Sequence, residues 1–76
     1  MEITSLGDLG KQVRIRRKEA GLAADEAAAL AGVSRRLLLE VEQGKRTNVG
    51  FTHVLRILSF MGLRLTVEPR GLPGTH

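Results

Sequence analysis

One short stretch of the chain holds most of the side chains that could do chemistry at a binding surface. The sequence AGVSRRLLLEVEQGKR, residues 31 to 46, contains the adjacent arginines Arg35 and Arg36 and, one helical turn later, Glu40. A guanidinium can donate two parallel hydrogen bonds to a phosphate or to the edge of guanine, and a carboxylate can accept one from cytosine. These residue types favour recognition by charge and hydrogen bonding over covalent chemistry.

The residues that could support catalysis or metal binding are too isolated for either. His53 and His76 have no second ligand at helical spacing, and the chain contains no cysteine. Ser5, Ser34 and Ser59 have no plausible histidine and acid partners, and no glycine-rich phosphate loop follows a strand. The sequence therefore predicts a protein that is not an enzyme, with no cofactor, no metal site and no small-molecule substrate.

Length and charge point to a small domain with an anionic partner. A chain of 76 residues makes one domain, and such a domain buries only about 60% of its unfolded surface, which favours a partner that shares the core. Twelve lysines and arginines against eight acids give a net charge of +4. The cations fall in two clusters: Lys11, Arg14, Arg16, Arg17 and Lys18, then Arg35, Arg36, Lys45 and Arg46. Such a field attracts nucleic acid or an anionic membrane, unless it is only a solvated basic face.

Membrane association finds less support than nucleic-acid binding. No stretch approaches the roughly 18 apolar residues that a membrane span needs, and the N-terminus lacks the pattern of a signal peptide. The basic first helix could lie on a membrane, but its arginines are beside apolar positions that the core requires. The absence of cysteine suits a reducing compartment. We therefore expect a cytoplasmic protein with no membrane partner.

Helical periodicity and capping residues divide most of the chain into four helices, which are predicted at residues 5–20, 23–31, 35–43 and 51–61. In the third helix, capped by Ser34, the residues Leu38 and Val41 face the core with Val33. This leaves Arg35, Arg36, Leu39 and Glu40 at the exposed front. In the fourth helix, one apolar stripe is predicted to comprise Phe51, Val54, Leu55, Leu58 and Met61.

The pattern changes to period two after the fourth helix. Leu63, Leu65 and Val67 alternate with polar residues, which predicts a strand over residues 63–68 with one buried face. A strand needs a hydrogen-bonding partner, and we favour the same strand of a second chain, antiparallel about a two-fold axis; pairing with the N-terminal MEIT or a disordered tail are the alternatives. The predicted single domain, 1–76, thus comprises a helical core (5–62), a dimerisation strand (63–68) and a flexible tail (69–76).

The second and third helices carry a recognisable order of residues. Gly21-Leu22, Ala28, Ala31-Gly32-Val33-Ser34, Leu38, Val41, Glu42 and Gly44 stand in the order typical of one family. Over about residues 6 to 63 the chain resembles the helix-turn-helix domains of the lambda Cro and repressor (Xre) family. The resemblance implies an all-α fold of four helices in which the third enters the DNA major groove by its N-terminal residues.

The resemblance also implies roles for individual residues. Arg17 and Glu42 match an arginine and a glutamate that pair between the first and third helices. Arg35, Arg36 and Glu40 match positions that commonly touch bases. The residues that match phosphate contacts are Ser34, Lys45, Arg46 and Asn48. Leu39 matches a position that is polar in some members, and its role stays open.

The chain departs from the family where the second helix begins. Ala23 and Ala24 stand where members often have a capping Thr and a Gln that anchors on DNA. The helix loses its cap unless Asp25 takes that role. Weak DNA binding, or a surface redirected to a protein partner, therefore stays open.

The C-terminal GLRLTVEPR gives a narrower resemblance, to HipB-type antitoxins. It implies a homodimer whose strands join, which binds operator DNA and a HipA-type kinase toxin. The predicted function is sequence-specific repression through binding to a two-fold symmetric operator. The protein would be the autoregulatory antitoxin of a HipA/HipB-like toxin–antitoxin pair. The alternative is a protein-interaction module that mainly sequesters a toxin or another partner, with secondary DNA binding.

Overall fold

Four helices make up the regular structure of the computed structural model, which describes residues 2–46 and 48–72. They are α1 (Leu6–Glu19), α2 (Ala24–Ala31), α3 (Arg35–Glu42) and α4 (Phe51–Phe60). α3 packs against both α1 and α2, and α2 packs in turn against α4. The predicted all-α arrangement is confirmed, and each helix end lies within one residue of its predicted position.

Hydrogen bonds between side chains and backbone amides help to fix where α1 and α2 begin. Ser5 accepts a hydrogen bond from the Asp8 amide (3.1 Å), and the Asp8 carboxylate accepts one from the Thr4 hydroxyl (2.9 Å). Ala23 precedes α2 and has no side-chain acceptor, and Asp25 does not replace it. Instead, the Glu26 carboxylate accepts a hydrogen bond from the Ala23 amide at 3.1 Å. α2 thus begins with half of a capping box.

The core lies where all four helices meet. Val13, Leu38, Val41 and Ile57 are the largest fully buried side chains. α2 contributes only alanines to it, namely Ala27, Ala28 and Ala31. Because an alanine side chain ends at Cβ, α3 and α4 can approach the α2 backbone closely.

The buried face of α4 differs from the predicted stripe. Ile57, Leu58 and Met61 are buried, and Val54 packs against them, but Phe51 and Leu55 are 62% and 43% exposed. The apolar residues of α4 cover more than one face, so helical periodicity alone admits two overlapping stripes. The position of α2 selects the stripe that contains Ile57, so Phe51 and Leu55 of the predicted stripe lie outside the core.

A left-handed glycine makes the turn between α2 and α3. Gly32 has φ of 73°, a backbone conformation that a side chain disfavours. The amide of Val33 donates to the carbonyl of Ala28 at 3.0 Å, which ends α2 and reverses the chain direction. Val33 then packs against the core cluster that contains Leu38. This turn sets the angle between the two helices.

Close packing of α1 on α3 depends on Gly10. A Cβ atom at this position would overlap the carbonyl group of Val41. At Gly7, in contrast, a Cβ atom would lie 3.6 Å from the Ser5 hydroxyl, an ordinary contact distance. Of the two glycines in α1, only Gly10 is required by its neighbours.

The segment after α4 has no strand among the residues described. Leu63 packs against the core, whereas Leu65 and Val67 are exposed. Arg70 forms an ion pair with Glu2 at 3.2 Å, but no backbone hydrogen bond joins residues 64–70 to residues 2–4. A strand that pairs only with a second chain has no partner within one chain, so the strand stays a prediction. Residues 73–76 of the predicted tail lie outside the described residues.

Candidate nucleic-acid interface

α3 presents one side to the core and the other to solvent. Leu38 and Val41 are fully buried and Leu37 is 9% exposed, which anchors the helix along its length. On the opposite side Arg35 and Arg36 are exposed, and Leu39 and Glu40 are half-buried. The Arg36 side chain is 88% exposed. The structure therefore brings the predicted base-contacting residues Arg35, Arg36 and Glu40 together on one surface. Leu39 lies among them, and we call the surface formed by these four residues the α3 surface.

Ser34 caps the N-terminus of this helix. Its hydroxyl oxygen accepts a hydrogen bond from the Leu37 amide at 3.0 Å. A hydroxyl that accepts one hydrogen bond can still donate another, and Ser34 is exposed. The cap thus orients α3 and leaves a donor beside the positive end of the helix dipole, a suitable place for a phosphate.

Glu40 joins α3 to the loop that follows it. Its Oε1 accepts from the Nε of Arg36 at 3.1 Å, and its Oε2 lies 3.7 Å from the Nε of Arg46. The backbone also connects the two segments, because the Lys45 amide donates to the Glu40 carbonyl at 2.9 Å. The spacing of Arg36 and Glu40, one helical turn apart, is a sequence signal for a pair. No sequence signal indicates the contact with Arg46, and sequence reasoning missed it.

The predicted phosphate-contacting residues after α3 lie in this loop. Lys45 and Asn48 are exposed, and the Arg46 side chain is 41% exposed. Thr47, between them, lies outside the described residues. Lys45 and Arg46 extend the positive charge of the α3 surface beyond the end of the helix.

A buried ion pair holds α3 against α1. Arg17 donates from Nε to Glu42 Oε2 at 2.7 Å and from Nη2 to Oε1 at 2.8 Å, a bidentate arrangement. Its Nη1 donates to the Leu22 carbonyl at 2.9 Å in the turn before α2. Donation of these hydrogen bonds to Glu42 raises the pKa of Arg17 against the opposing effect of burial. The guanidinium thus joins α1, the α1–α2 turn and α3.

The N-terminus of α2 is a poorer phosphate site than that of α3. Asp25 and Glu26 are exposed in its first turn, and Glu26 already accepts from the Ala23 amide. Two carboxylates repel a phosphate and offset the positive end of the helix dipole. With Ala23 and Ala24 lacking polar side chains, the start of α2 offers fewer groups to an anionic ligand than α3 and the loop after it do.

Other kinds of site are not formed by the described residues. Among residues 2–46 and 48–72, no three His, Asp or Glu side chains are placed to hold a metal ion. His53 is exposed, and His76 lies outside the described part of the chain. Over the same part of the chain, no helix is long and apolar enough to cross a membrane.

An open apolar groove lies between α2 and α4. It has a volume of about 470 Å³ and is lined by Leu30, Leu55 and Phe60, with Arg56 as its one charged side chain among the described residues. Leu30 is 55% exposed and Phe60 42%. A groove with this lining suits contact with another apolar surface better than chemistry on a small molecule.

Comparison with known proteins agrees with this geometry. The helix-turn-helix domain family matches residues 8–70 of the chain. An uncharacterised HTH-type transcriptional regulator of Sinorhizobium fredii (strain NBRC 101917 / NGR234), y4mF, is 39% identical over 70 residues, which cover 91% of this chain and 90% of the relative.

A solved structure with a similar fold is the restriction-modification controller protein C.AhdI from Aeromonas hydrophila. It superposes with a TM-score of 0.69 and 29% sequence identity, over 78% of this chain and 88% of the other. The similarity extends over all four helices, including α2 and α3, which the turn at Gly32 joins.

Proposed function

We propose, on the premise that this chain belongs to the helix-turn-helix domain family of the Cro and repressor (Xre) type, that it is a sequence-specific repressor of transcription. The family makes it a DNA-binding transcriptional regulator and not an enzyme. The finer proposal is that it represses transcription from a two-fold symmetric operator in double-stranded DNA. Such a regulator would work in the cytoplasm, where the DNA is.

The observation that carries this proposal is the α3 surface. Arg35 and Arg36 are exposed at the N-terminal end of a helix whose opposite side is fixed in the core. This is the part of a helix-turn-helix that reaches base edges in the major groove. We propose that Arg35 and Arg36 read bases, that Glu40 belongs to the same reading surface, and that phosphates are contacted by Ser34, Lys45, Arg46 and Asn48.

Substitution of Arg36 tests whether the α3 surface reads sequence. An operator selected by the protein from random duplexes is compared with a scrambled duplex of the same composition. Arg36→Ala should lose about 1–3 kcal/mol of binding free energy on the operator and little on the scrambled duplex. Arg14→Ala is the control, because Arg14 is an exposed arginine of α1. Equal loss on both duplexes would mean that Arg36 contacts only phosphate.

We further propose that the protein acts as a homodimer through residues 63–68. Two observations support this: Leu65 and Val67 are exposed on alternate positions, and the backbone of residues 64–70 forms no hydrogen bond with other described residues. A second copy of the segment would supply both the backbone partners and the apolar cover. Two-fold symmetry then places the half-sites about one helical turn apart, roughly 10 base pairs. The division into core (5–62), strand (63–68) and tail (69–76) is part of this proposal.

A narrower proposal is that the repressor is an autoregulatory antitoxin of the HipB type, which also binds a HipA-like kinase toxin. It rests on the resemblance of the C-terminal segment alone. The two relatives described above are named as a transcriptional regulator and as a restriction-modification controller protein. One observation favours the alternative, a protein-interaction module with secondary DNA binding: the apolar groove between α2 and α4. A gel shift on the DNA upstream of its own gene, with and without the protein encoded next to it, separates these functions. Binding that needs the neighbouring protein would favour the interaction module.

A further inference from the structure

We infer that Glu40 acts on DNA recognition through two arginines and not by contacting a base. Its carboxylate holds Arg36 of α3 and Arg46 of the following loop in one cluster, and binding of DNA must open it. The inference rests on the proposed DNA binding of the α3 surface. It replaces the role that the sequence resemblance implies for Glu40, which is contact with a base. It makes Glu40 a positioning residue that suppresses binding to the wrong sequence.

The geometry of the cluster supports this role. Both oxygens of Glu40 already face a guanidinium, with 3.1 Å from Oε1 to Arg36 and 3.7 Å from Oε2 to Arg46. The Glu40 side chain is only 27% exposed, while that of Arg36 is 88% exposed. Arg36 is therefore the more accessible member of the pair. A cytosine amino group that bonds to either oxygen of Glu40 would compete with a guanidinium that already faces that oxygen.

A carboxylate and a phosphate compete for the same guanidinium donors. In the free protein one negative charge partly neutralises two cations that would otherwise attract DNA. Binding to any duplex requires Arg36 and Arg46 to exchange Glu40 for phosphate or base, and it brings Glu40 close to the anionic backbone. Glu40 therefore weakens contact with every sequence.

Binding to the operator offsets more of the free-energy cost of opening the Glu40 ion pairs than binding to other DNA does. Non-specific binding depends almost entirely on phosphate contacts, so it has nothing else with which to offset the broken pairs. On the operator, Arg36 can donate two hydrogen bonds to guanine in place of the bond to Glu40. The carboxylate should thus increase the ratio of specific to non-specific affinity.

Glu19 offers a matched control for the loss of one negative charge. It is an exposed glutamate of α1 that pairs with an arginine, Arg16, at 3.7 Å. Glu19→Gln changes the net charge by the same amount as Glu40→Gln but leaves the α3 surface intact. Any effect of overall charge on DNA binding appears in both variants.

The experiment compares the two glutamine variants with the wild type on the selected operator and on the scrambled duplex, over a range of salt concentrations. Glu40→Gln should tighten binding to the scrambled duplex by about two- to fivefold more than Glu19→Gln does, the scale of exposed ion pairs. Its specificity ratio should fall accordingly. The difference between the two variants on scrambled DNA should diminish as the salt concentration rises, because salt screens exposed charges.

Each other outcome contradicts the inference. Equal effects of Glu40→Gln and Glu19→Gln would mean that only net charge matters. Loss of discrimination at a single C·G pair, with scrambled-duplex binding unchanged, would mean that Glu40 contacts cytosine directly. In both cases the wild type still prefers the operator, so the proposed function stands. A wild type that binds both duplexes equally would overturn the proposed function itself.

Discussion

Arg17 joins more parts of the fold than any other side chain described here. It donates to both oxygens of Glu42 and to the carbonyl of Leu22, and the pair is almost wholly buried. Desolvation of both charges costs free energy, so the pair is a weak source of net stability. Its contribution is geometric, because it fixes the position of α3, and hence of the α3 surface, relative to α1.

A double-mutant cycle should show that the Arg17–Glu42 pair contributes little net stability. Arg17→Met alone leaves the Glu42 carboxylate buried without its partner and should lower the free energy of unfolding by about 3–5 kcal/mol. Glu42→Leu alone should do comparable damage. The combination of both substitutions should cost much less than either, because no uncompensated charge remains. Urea denaturation measures all three variants. Additive losses would contradict the prediction, and the double variant stays informative even if a single variant does not fold.

Asp8 makes the stability of the start of α1 depend on pH. The pKa of its carboxyl lies below the ordinary value of an aspartate, first because the Thr4 amide donates to it and next because the Thr4 hydroxyl does. A carboxyl whose pKa is lower in the folded state stabilises the fold above its unfolded pKa. This contribution is lost as the pH falls through the folded pKa.

Asp8→Asn should therefore be less stable than the wild type at pH 7, with a difference that shrinks as the pH falls through the lowered pKa of the folded Asp8 carboxyl. Thermal unfolding of both proteins between pH 7 and pH 2 measures it. Thr4→Val removes the hydroxyl donor but keeps the amide, so its stability should lie between the two at pH 7. A difference that stays constant down to pH 2 would rule out the carboxylate as the cause.

At the scale of helices, the contact between α1 and α3 and the choice of the buried face of α4 decide the structure. Gly10 lets the backbone of α1 approach the last turn of α3, where Val41 and Glu42 lie. α2 buries Ile57 and Leu58 of α4 and leaves Phe51 and Leu55 exposed. The contact between α1 and α3 positions the α3 surface. The choice of the buried face of α4 leaves the apolar groove between α2 and α4 open.

The two glycines of α1 provide a matched test of the first contact. Gly10→Ala should destabilise the fold by about 1–3 kcal/mol, the cost of overpacking, because its Cβ atom overlaps the Val41 carbonyl. Gly7→Ala should be neutral or stabilising by up to about 1 kcal/mol, since alanine favours the helix and meets only ordinary contacts. Urea denaturation compares them. Similar effects at both positions would argue against close packing at Gly10.

For the whole molecule, the proposed dimer concerns the segment after α4. A core of this size is marginal alone, and this segment exposes Leu65 and Val67 while the backbone of residues 64–70 forms no hydrogen bond with the other described residues. A dimer formed through residues 63–68 would cover these groups and make stability depend on protein concentration.

Sedimentation and thermal unfolding together test the dimer. The wild type should sediment as a dimer at micromolar concentration, and its Tm should rise with concentration. Leu65→Glu should shift it to a monomer, because the charge would be buried in the pair. Thr66→Glu, on the opposite face of the predicted strand, is the control and should leave the dimer intact. A wild type that is monomeric at micromolar concentration would exclude this mode of association.

The sequence by itself determined the features that depend on neighbouring residues. The four helices, the cap at Ser34 and the core face of α3 follow from periodicity and capping chemistry, which act within a turn or two of the chain. The ion pair of Arg17 with Glu42 was open to prediction because a family pattern marks both positions. What only the tertiary structure decided depends on how the helices cross. The buried stripe of α4, the need for glycine at position 10 but not 7, and the contact of Glu40 with Arg46 each depend on residues brought together from elsewhere in the chain. Local patterns do not contain this information, because one amphipathic helix can present either of two apolar faces until a neighbour packs against it.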